Sequence, residues 1–383
     1  MVTVFLYAKL WRRTEVLTDI EFYELRYSGK SAAVLRGFRA VYLGVFFNVM
    51  IMAAVSLAAI KIGGVMLGLG PLQSILWAGL ATVIFSSVGG FRGVVFTDCL
   101  LFIVAMVGAI AAAYFAISHV EIGSLGEMLQ HPNVADKLSF FPAIEKDATG
   151  AWTDESLNLW MTLLIMPLVV QWWSVWYPGA EPGGGGYIAQ RMLAAKDERH
   201  ATGAVLFFNF AHYGLRPWPW ILVALASLIV FPMDTKDVRE QAANTLETPE
   251  MVILAEKLKD TPKLVSDIEK QVLRDLNIQK SGLTSLRQTF SEEEVPYDKL
   301  GHDLAYPAML TFLPHGWLGL VLASLIAAYM STISTHLNWG SSYVANDFYK
   351  RFLKPDATEK QLVTIGRIST VAMMILAGLL ALQ

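Results

Sequence analysis

The sequence has few charged residues and almost no cysteine. Only 16% of its 383 residues are Asp, Glu, Lys or Arg, whereas soluble domains carry about 25%. The single cysteine, Cys99, excludes a disulfide within the chain. The formal net charge of -3 is too near zero to indicate a nucleic-acid partner. These absences exclude a disulfide-stabilised scaffold and argue against a soluble domain that binds nucleic acid.

The spacings that carry soluble-enzyme chemistry are missing as well. No segment matches a zinc, phosphate-loop, catalytic-triad or dinucleotide-binding pattern, so we expect that the protein is not an enzyme. A secretory signal is also missing, because the apolar start at Met1–Leu10 runs into Trp11-Arg12-Arg13 without a small-residue cleavage site.

Long hydrophobic runs dominate what is present. Hydrophobic residues make up 54% of the chain and the mean hydropathy is +0.45. Several runs reach the roughly 20 apolar residues that cross a bilayer. The sequence therefore predicts an all-α polytopic membrane protein, embedded in the lipid bilayer, with about seven complete transmembrane helices. The predicted spans are residues 37–60, 73–89, 95–117, 159–189, 203–232, 309–340 and 362–382.

The positions of lysine and arginine orient these spans. Short loops rich in Lys and Arg lie in the cytoplasm, and four such loops alternate with acidic or mixed segments along the chain. We therefore predict a multi-pass protein of the plasma or inner cell membrane. The loops predicted to be cytoplasmic are 11–36, 89–95, 190–202 and 347–361.

The chain is predicted to have three parts. Residues 1–232 hold a partial first span followed by five spans, and residues 305–383 hold the remaining spans. Between them, residues 233–304 form a charged extracytoplasmic insertion. Its stretches Pro249–Lys259 and Pro262–Leu276 have helical periodicity, so the insertion is either a small helical cap over the outer face or a partly ordered segment.

One predicted span carries small and hydroxyl residues along one face. Steps of three and four place side chains on the same side of a helix. Hydroxyl oxygens and the carbonyls left open by small side chains suit a small, hard cation. The same pattern is typical of a close-packing seam between membrane helices, and both interpretations stay open on spacing alone. The residues are Ser324, Ala328, Ser331, Thr332 and Thr335.

A second predicted span is interrupted by proline and glycine. The segment Pro178–Gly186 contains two prolines and five glycines, which cannot sustain a regular helix. Transporters use such breaks to offer backbone groups to substrates and ions. The aromatic residues Trp173, Trp176 and Tyr177 just before it are candidates for stacking on a substrate or closing its path. Alternatively, the span ends at Tyr177 and these aromatics form an interfacial belt.

Two ionisable residues lie in or near predicted spans. A carboxylate such as Asp98 inside a membrane is a candidate functional group. The alternative is a helix-start carboxylate that faces the cytoplasm or pairs with Arg92. Arg216 precedes a long apolar run, where it would bind substrate or pair with a carboxylate. His212 and His336 are interpreted as polar residues satisfied within the bundle.

Four stretches of the chain match known sequence patterns and together span nearly the whole sequence. They are Thr18–Tyr27, similar to T-x-x-E-[FY]-x-x-x-R-[FY]; Gly89–Asp98, similar to GG-x-x-x-V-x-[WF]-TD; Tyr187–Lys196, similar to QR-x-[LF]-AAK; and Leu313–Lys350, similar to an ion-site helix. In these patterns and in their order the chain resembles the sodium/solute symporter family of sugar, proline and pantothenate symporters.

The resemblance implies a leucine-transporter-like inverted-repeat helical bundle, present here in part. It implies that Ala328 offers a carbonyl, and Ser331 and Thr332 their hydroxyls, to a sodium ion. Asp98 matches an acidic residue that helps the ion leave inward. Arg216 matches a lysine near the sugar in sugar symporters, and arginine there suits an anionic or carboxylate group. Trp176 or Tyr177 is proposed as the gating aromatic, with Trp173 as a further substrate candidate.

The function implied is symport of Na⁺, the coupling ion, with a small polar solute (a sugar, an amino acid or a carboxylate) by alternating access. The alternative is a transport-inactive, substrate-sensing membrane module. Family members have one or two further spans before the segment that Thr18–Tyr27 resembles, so we expect a chain shortened at the front, and shortening at the back stays open. A non-functional fragment of a symporter is therefore also considered.

Overall fold

The computed structural model describes residues 3–135, 137–139, 145–146, 149–171, 186–232, 283–291, 295 and 300–383. Within these ranges the chain is almost entirely helical and has no β-strand; Lys146 and Trp152 form an isolated bridge. The helical architecture confirms the predicted fold class.

Nine helices form the main architecture within the described ranges. They are α1 (Ala8–Thr14, after a π-helical turn at Thr3–Tyr7), α2 (Lys30–Leu67), α3 (Pro71–Ser87), α4 (Gly90–Ile117), α5 (Ser156–Val169), α6 (Gly186–Leu193), α7 (Glu198–Val230), α8 (His315–Leu353) and α9 (Glu359–Ala381). Shorter helices lie at Phe22–Arg26, Leu125–Gln130, Pro132–Ala135, Thr284–Thr289 and Ala305–Leu310.

Five helices of the described chain are long and apolar enough to cross a membrane, namely α2, α4, α7, α8 and α9. They correspond to five of the seven predicted spans. The predicted span at 73–89 is the shorter apolar helix α3. The span predicted at 159–189 begins with α5 and resumes with α6, and residues 172–185 lie outside the described part. The total of seven spans stays a prediction.

Local sequence explains where several helices begin and end. Pro71 stands in the first turn of α3, where its missing N–H costs no hydrogen bond. Gly90 separates α3 from α4 with φ +54° and ψ -167°, a conformation that glycine adopts without steric cost. Thr358 begins α9 with a capping box, since its hydroxyl accepts from Gln361 N and its N–H donates to the Gln361 side chain.

Helix α8 lies at the centre of the bundle and runs antiparallel to α4. Contacts between the two helices proceed in opposite directions along the chain. The pairs are Asp98 with Ser331, Gly108 with Ser324, and Phe115 with Trp317. This register brings the middle of α8 to the start of α4.

Helix α8 also runs antiparallel to α2, on another face. The paired residues are Ser56 with Tyr329, Asn48 with His336, and Gly44 with Tyr343. Asn48 Nδ2 donates to the His336 carbonyl at 2.8 Å, and the His336 ring lies 2.6 Å from Asn48 Oδ1. Met373 of α9 packs on the same cluster. The apolar faces of α2 and α8 therefore enclose the buried hydrogen bonds between Asn48 and His336.

A second group of helices packs apart from this centre. Helices α1, α6 and the first half of α7 share an apolar cluster that consists of Val4, Ala8, Ala189, Met192, Ala201 and Val205. Arg13 and Glu198 form an exposed ion pair at its edge. Helix α6 belongs to this group and also touches α8, so it stands between the two parts of the bundle.

Short helices cover one end of the bundle. The last turns of α4 and α7 and the first turn of α8 form this end. Met128, Val134, Leu286 and Met309 are buried there. In the described part of the predicted insertion, buried residues of this cover are Leu283, Leu286, Phe290, Val295 and Leu304. Residues 233–282, including both helix-like stretches, lie outside the described part, so the boundaries at 233 and 304 stay predictions.

Candidate ion site between helices α4, α6 and α8

Asp98 on α4 accepts hydrogen bonds from the hydroxyl stripe of α8. Ser331 Oγ donates to Asp98 Oδ1 at 2.7 Å, and Thr335 Oγ1 donates to Asp98 Oδ2 at 3.4 Å. The two hydroxyl residues are one helical turn apart, and the antiparallel packing of α4 brings the carboxylate level with both. The side chain of Asp98 is 22% exposed. The sequence pattern singled out all three residues but could not show that they meet.

Arg191 on α6 neutralises this carboxylate. Its Nη2 donates to Asp98 Oδ2 at 3.2 Å and to Thr335 Oγ1 at 2.9 Å, while Nη1 donates to the Tyr187 carbonyl at 3.1 Å. Arg92 is one predicted partner of Asp98, whereas in the structure this carboxylate pairs with Arg191. Sequence reasoning missed this role, although Arg191 lies in the stretch that resembles QR-x-[LF]-AAK.

The other two predicted sodium ligands lie beside Ser331. Thr332 Oγ1 donates to the Ala328 carbonyl at 2.9 Å, a bond within one helical turn. Ser331 directly precedes Thr332, so the three residues lie within about one turn of α8. Of the three, Ser331 is the one whose side chain contacts Asp98 in the described residues.

One end of the stripe packs against a neighbouring helix instead. Ser324 donates to the Val321 carbonyl of its own helix at 2.7 Å. A Cβ added at Gly108 would lie 2.6 Å from the Ser324 Cβ, so α4 and α8 approach as closely as their small residues allow. The stripe thus forms a packing contact at Ser324 and a polar cluster at Ser331 and Thr335, and ion binding by its oxygens stays a prediction.

Arg216 lies elsewhere, on α7. Its Nη1 is 3.1 Å from His212 Nδ1, and its guanidinium lies 4.8 Å from the centre of the Trp220 ring. The structure records no contact between Arg216 and the Asp98 cluster among the described residues. The predicted residues therefore do not form one cluster, as expected if ion and solute bind at separate positions.

The predicted aromatic candidates Trp173, Trp176 and Tyr177 lie outside the described residues, as does most of the proline- and glycine-rich segment. Its last residue, Gly186, begins α6 with φ +61°, and its N–H donates to Asp19 Oδ2 at 3.0 Å. The next residue, Tyr187, packs edge-on against His336 and Trp339 of α8. In this conformation α6 is therefore hydrogen-bonded near both ends, through Gly186 to Asp19 and through Arg191 to Asp98.

The ligand atoms at this site determine which ion it can bind. One carboxylate, several hydroxyls and a carbonyl are hard oxygen ligands. The described residues contain no group of three or more His, Cys, Asp or Glu side chains that could hold a metal ion. Asp98 is the one carboxylate of this cluster and Arg191 already offsets its charge, so the cluster has no excess negative charge that would favour a divalent cation.

Known proteins share sequence and fold with this chain. The sodium/glucose cotransporter of Vibrio parahaemolyticus is 25% identical over 367 residues, which cover 96% of this chain and 56% of that protein. The sodium/proline symporter of Haemophilus influenzae is 45% identical over 71 residues, 18% of this chain and 14% of that protein. The mouse (Mus musculus) sodium/myo-inositol cotransporter is 24% identical over 314 residues, 77% of this chain and 35% of that protein.

A solved structure supports the fold. The chain superimposes on a substrate-bound, outward-open Na⁺-coupled sialic acid symporter with a TM-score of 0.65 and 18% sequence identity, covering 100% of this chain and 64% of that one. At that identity the likeness concerns the fold alone. The chain spans little more than half the length of the first of these relatives and less of the others.

The family profile described as "Sodium:solute symporter family" matches residues 1–259 and 294–383, most of the chain. This match agrees with the four stretches of resemblance and with the helical bundle. The chain belongs to the sodium:solute symporter family.

Proposed function

We propose that the protein to which this chain belongs imports a small polar solute together with Na⁺ by alternating access. Family membership and the relatives' names, which specify sodium with glucose, proline or myo-inositol, support this proposal. The protein lies in the cell membrane, with loops 11–36, 89–95, 190–202 and 347–361 in the cytoplasm.

The observation that carries the proposal is the hydrogen bond from Ser331 Oγ to Asp98 Oδ1 at 2.7 Å. The neighbouring Thr332 contacts the Ala328 carbonyl within the same turn of α8. In the proposed site, Ala328 offers its carbonyl and Ser331 and Thr332 offer hydroxyl lone pairs to Na⁺. The Ser331 proton remains directed at Asp98, which increases the electron density on the oxygen that faces the ion. Asp98 supplies the negative charge along the path by which the ion leaves.

Coupling requires that the ion stabilise the conformation that binds solute. Two ligands coupled in this way raise each other's affinity by the same factor. The helix arrangement suits such coupling, because α6 contacts both the α1 and α7 group and the central helix α8. An ion on α8 therefore lies next to the helix that joins the two parts of the bundle.

The solute is proposed to be a sugar, an amino acid or a carboxylate, and Arg216 is proposed to engage it. A guanidinium inside a bilayer is costly without a partner, and its fork binds carboxylates or vicinal hydroxyls in a bidentate manner. Its neighbours His212 and Trp220 leave the charge of Arg216 without a described anionic partner. The aromatic candidates Trp173, Trp176 and Tyr177 would cover the solute.

Transport by membrane vesicles tests the proposal. Vesicles from cells that express the protein and from cells that do not are given labelled sugars, amino acids and carboxylates, with an inward gradient of NaCl or of KCl. We expect accumulation of at least one solute that needs both the protein and the Na⁺ gradient. Accumulation that is equal with K⁺ would contradict coupling. Na⁺-dependent solute binding without accumulation would identify the sensing module instead.

A further inference from the structure

We propose that Arg191 competes with the coupling ion for Asp98 and thereby links the position of α6 to ion affinity. This inference rests on the proposed function, because it takes Ala328, Ser331 and Thr332 as the ion ligands. It adds a residue on a different helix that controls how strongly those ligands hold the ion.

The positively charged guanidinium of Arg191 already contacts Asp98 in this structure. Its Nη2 contacts Asp98 Oδ2 at 3.2 Å and Thr335 Oγ1 at 2.9 Å. The other carboxylate oxygen accepts from Ser331 at 2.7 Å. An ion bound to Ser331 would therefore share a single carboxylate with the guanidinium. Two cations around one carboxylate repel each other, and the repulsion is strong where little water screens it.

The position of α6 then determines whether the charge of Asp98 is neutralised. While Arg191 is docked, the carboxylate is neutralised and attracts an ion on Ser331 weakly. When α6 moves away, Asp98 regains its full negative charge and the ion is held more tightly. By reciprocity, ion binding must weaken the contact of Arg191 with Asp98 by the same factor. The docked state shown here is therefore the state of low ion affinity.

Helix α6 is well suited to carry such a competitor. It has only eight residues, Gly186–Leu193, and Arg191 Nη1 also donates to the Tyr187 carbonyl one turn earlier. The guanidinium is thereby held on its own helix and moves with it. Its side chain is 31% exposed, so water can solvate the charge once it leaves Asp98.

A Na⁺ titration of thermal stability tests the competition without knowledge of the solute. The purified protein is melted at increasing NaCl, with choline chloride keeping the ionic strength constant, because a ligand that binds the native state raises the melting temperature. Arg191→Gln removes the competing charge. We expect the Na⁺ concentration for half-maximal stabilisation to fall at least about fivefold, the lower end of common coupling factors.

Further variants separate competition from a structural role. Arg191→Lys keeps a charge without the fork and should fall between wild type and Arg191→Gln. Asp98→Asn should raise the required Na⁺ concentration, and adding Arg191→Gln to it should have little further effect. Arg199→Gln, which changes an exposed arginine of the neighbouring α7, should leave the titration unchanged.

A labelling experiment reports on α6 directly. In a Cys99→Ala background, Gln190→Cys places a thiol on α6 beside Arg191, and a water-soluble maleimide is added to permeabilised membranes. We expect faster labelling in NaCl than in choline chloride, and faster labelling still with Arg191→Gln.

The outcomes distinguish this inference from the proposed function. If wild-type stability does not respond to Na⁺, the proposed ion site itself fails. If wild type responds but Arg191→Gln leaves the Na⁺ requirement unchanged or raises it, Arg191 is not a competitor. Equal labelling in Na⁺ and choline would overturn the link between α6 and the ion.

Discussion

Arg36 of α2 donates from Nε to Asp347 of α8 at 2.7 Å, and the Asp347 side chain is completely buried. Thr18 Oγ1 donates to the same carboxylate oxygen at 2.8 Å. The pair lies outside the apolar spans predicted from sequence, yet it joins two long helices and the segment before α2. It therefore fixes the register between α2 and α8.

Loss of the Asp347 charge should destabilise the bundle. Asp347→Asn leaves the buried Arg36 with two anionic partners, Glu24 at 2.7 Å and Glu21 at 3.7 Å. Breaking a buried pair from one side costs about 3–5 kcal/mol, and we expect about 3 kcal/mol because these two carboxylates remain. Denaturant unfolding of the purified protein measures this change. Asp303→Asn, which breaks the exposed pair with Lys61, should cost less than about 1 kcal/mol; equal losses would contradict the difference in burial.

Glu24 should make stability depend on acid pH. A hydrogen bond from Arg351 is the main cause that lowers the pKa of Glu24 below its usual value, and Arg36 lowers the pKa further. A carboxyl with a lowered pKa stabilises the fold above its unfolded pKa of about 4.3 and loses this contribution as pH falls through the folded value.

The wild-type melting temperature should therefore fall more steeply between about pH 5 and pH 3 than that of Glu24→Gln. Glu121→Gln, which changes an exposed carboxylate, should melt with the wild-type pH dependence. Parallel curves for wild type and Glu24→Gln would show that the two arginines do not stabilise the ionised form.

The close approach of α4 and α8 should be sensitive to one methyl group. Gly108→Ala places a Cβ 2.6 Å from the Ser324 Cβ, and overpacking of this kind costs about 1–3 kcal/mol. Adding Ser324→Gly should recover part of this loss, giving a favourable interaction term in a double-mutant cycle. Gly93→Ala on the same helix meets no heavy atom within 4 Å and should not destabilise. Simple additivity of the two changes at the seam would contradict direct contact.

Arg216 should affect the solute and spare the ion. Arg216→Gln removes the charge on α7 while the proposed ion ligands lie on α8, so we expect weaker solute binding and an unchanged Na⁺ titration. Arg216→Lys should retain partial binding if a point charge suffices and little if a fork is needed. Calorimetry with a transported solute measures both, with Arg199→Gln as the control. Wild-type solute affinity in Arg216→Gln would leave this arginine a structural residue.

The parts of the site that depend on local periodicity could be predicted from sequence. Steps of three and four predict a common helix face for the stripe, and in the structure Ser331 and Thr335 both face Asp98. Asp98 was identified because a carboxylate in an apolar span is costly. Its contact with Ser331 depends on the register between α4 and α8, which hydropathy does not encode. Arg191 reaches the site only because α6 packs against α8.

The ends of two helices also could not be predicted from hydropathy. Helix α2 begins at Lys30 and α8 continues to Leu353, whereas the predicted spans begin at 37 and end at 340. Hydropathy counts Arg36 and Asp347 as charges that end a span. In the folded chain they neutralise each other, so both helices continue through them.

The sodium site is tested most directly by Ser331→Ala combined with Thr332→Ala, melted across a Na⁺ titration at constant ionic strength. Each hydroxyl contributes about 1 kcal/mol, and 1.4 kcal/mol corresponds to a factor of ten. We predict that the Na⁺ concentration for half-maximal stabilisation rises at least about tenfold, while Ser341→Ala, whose hydroxyl bonds within the same helix, titrates as wild type. An unchanged Na⁺ requirement in the double variant would show that the stripe on α8 only packs and that the ion binds elsewhere.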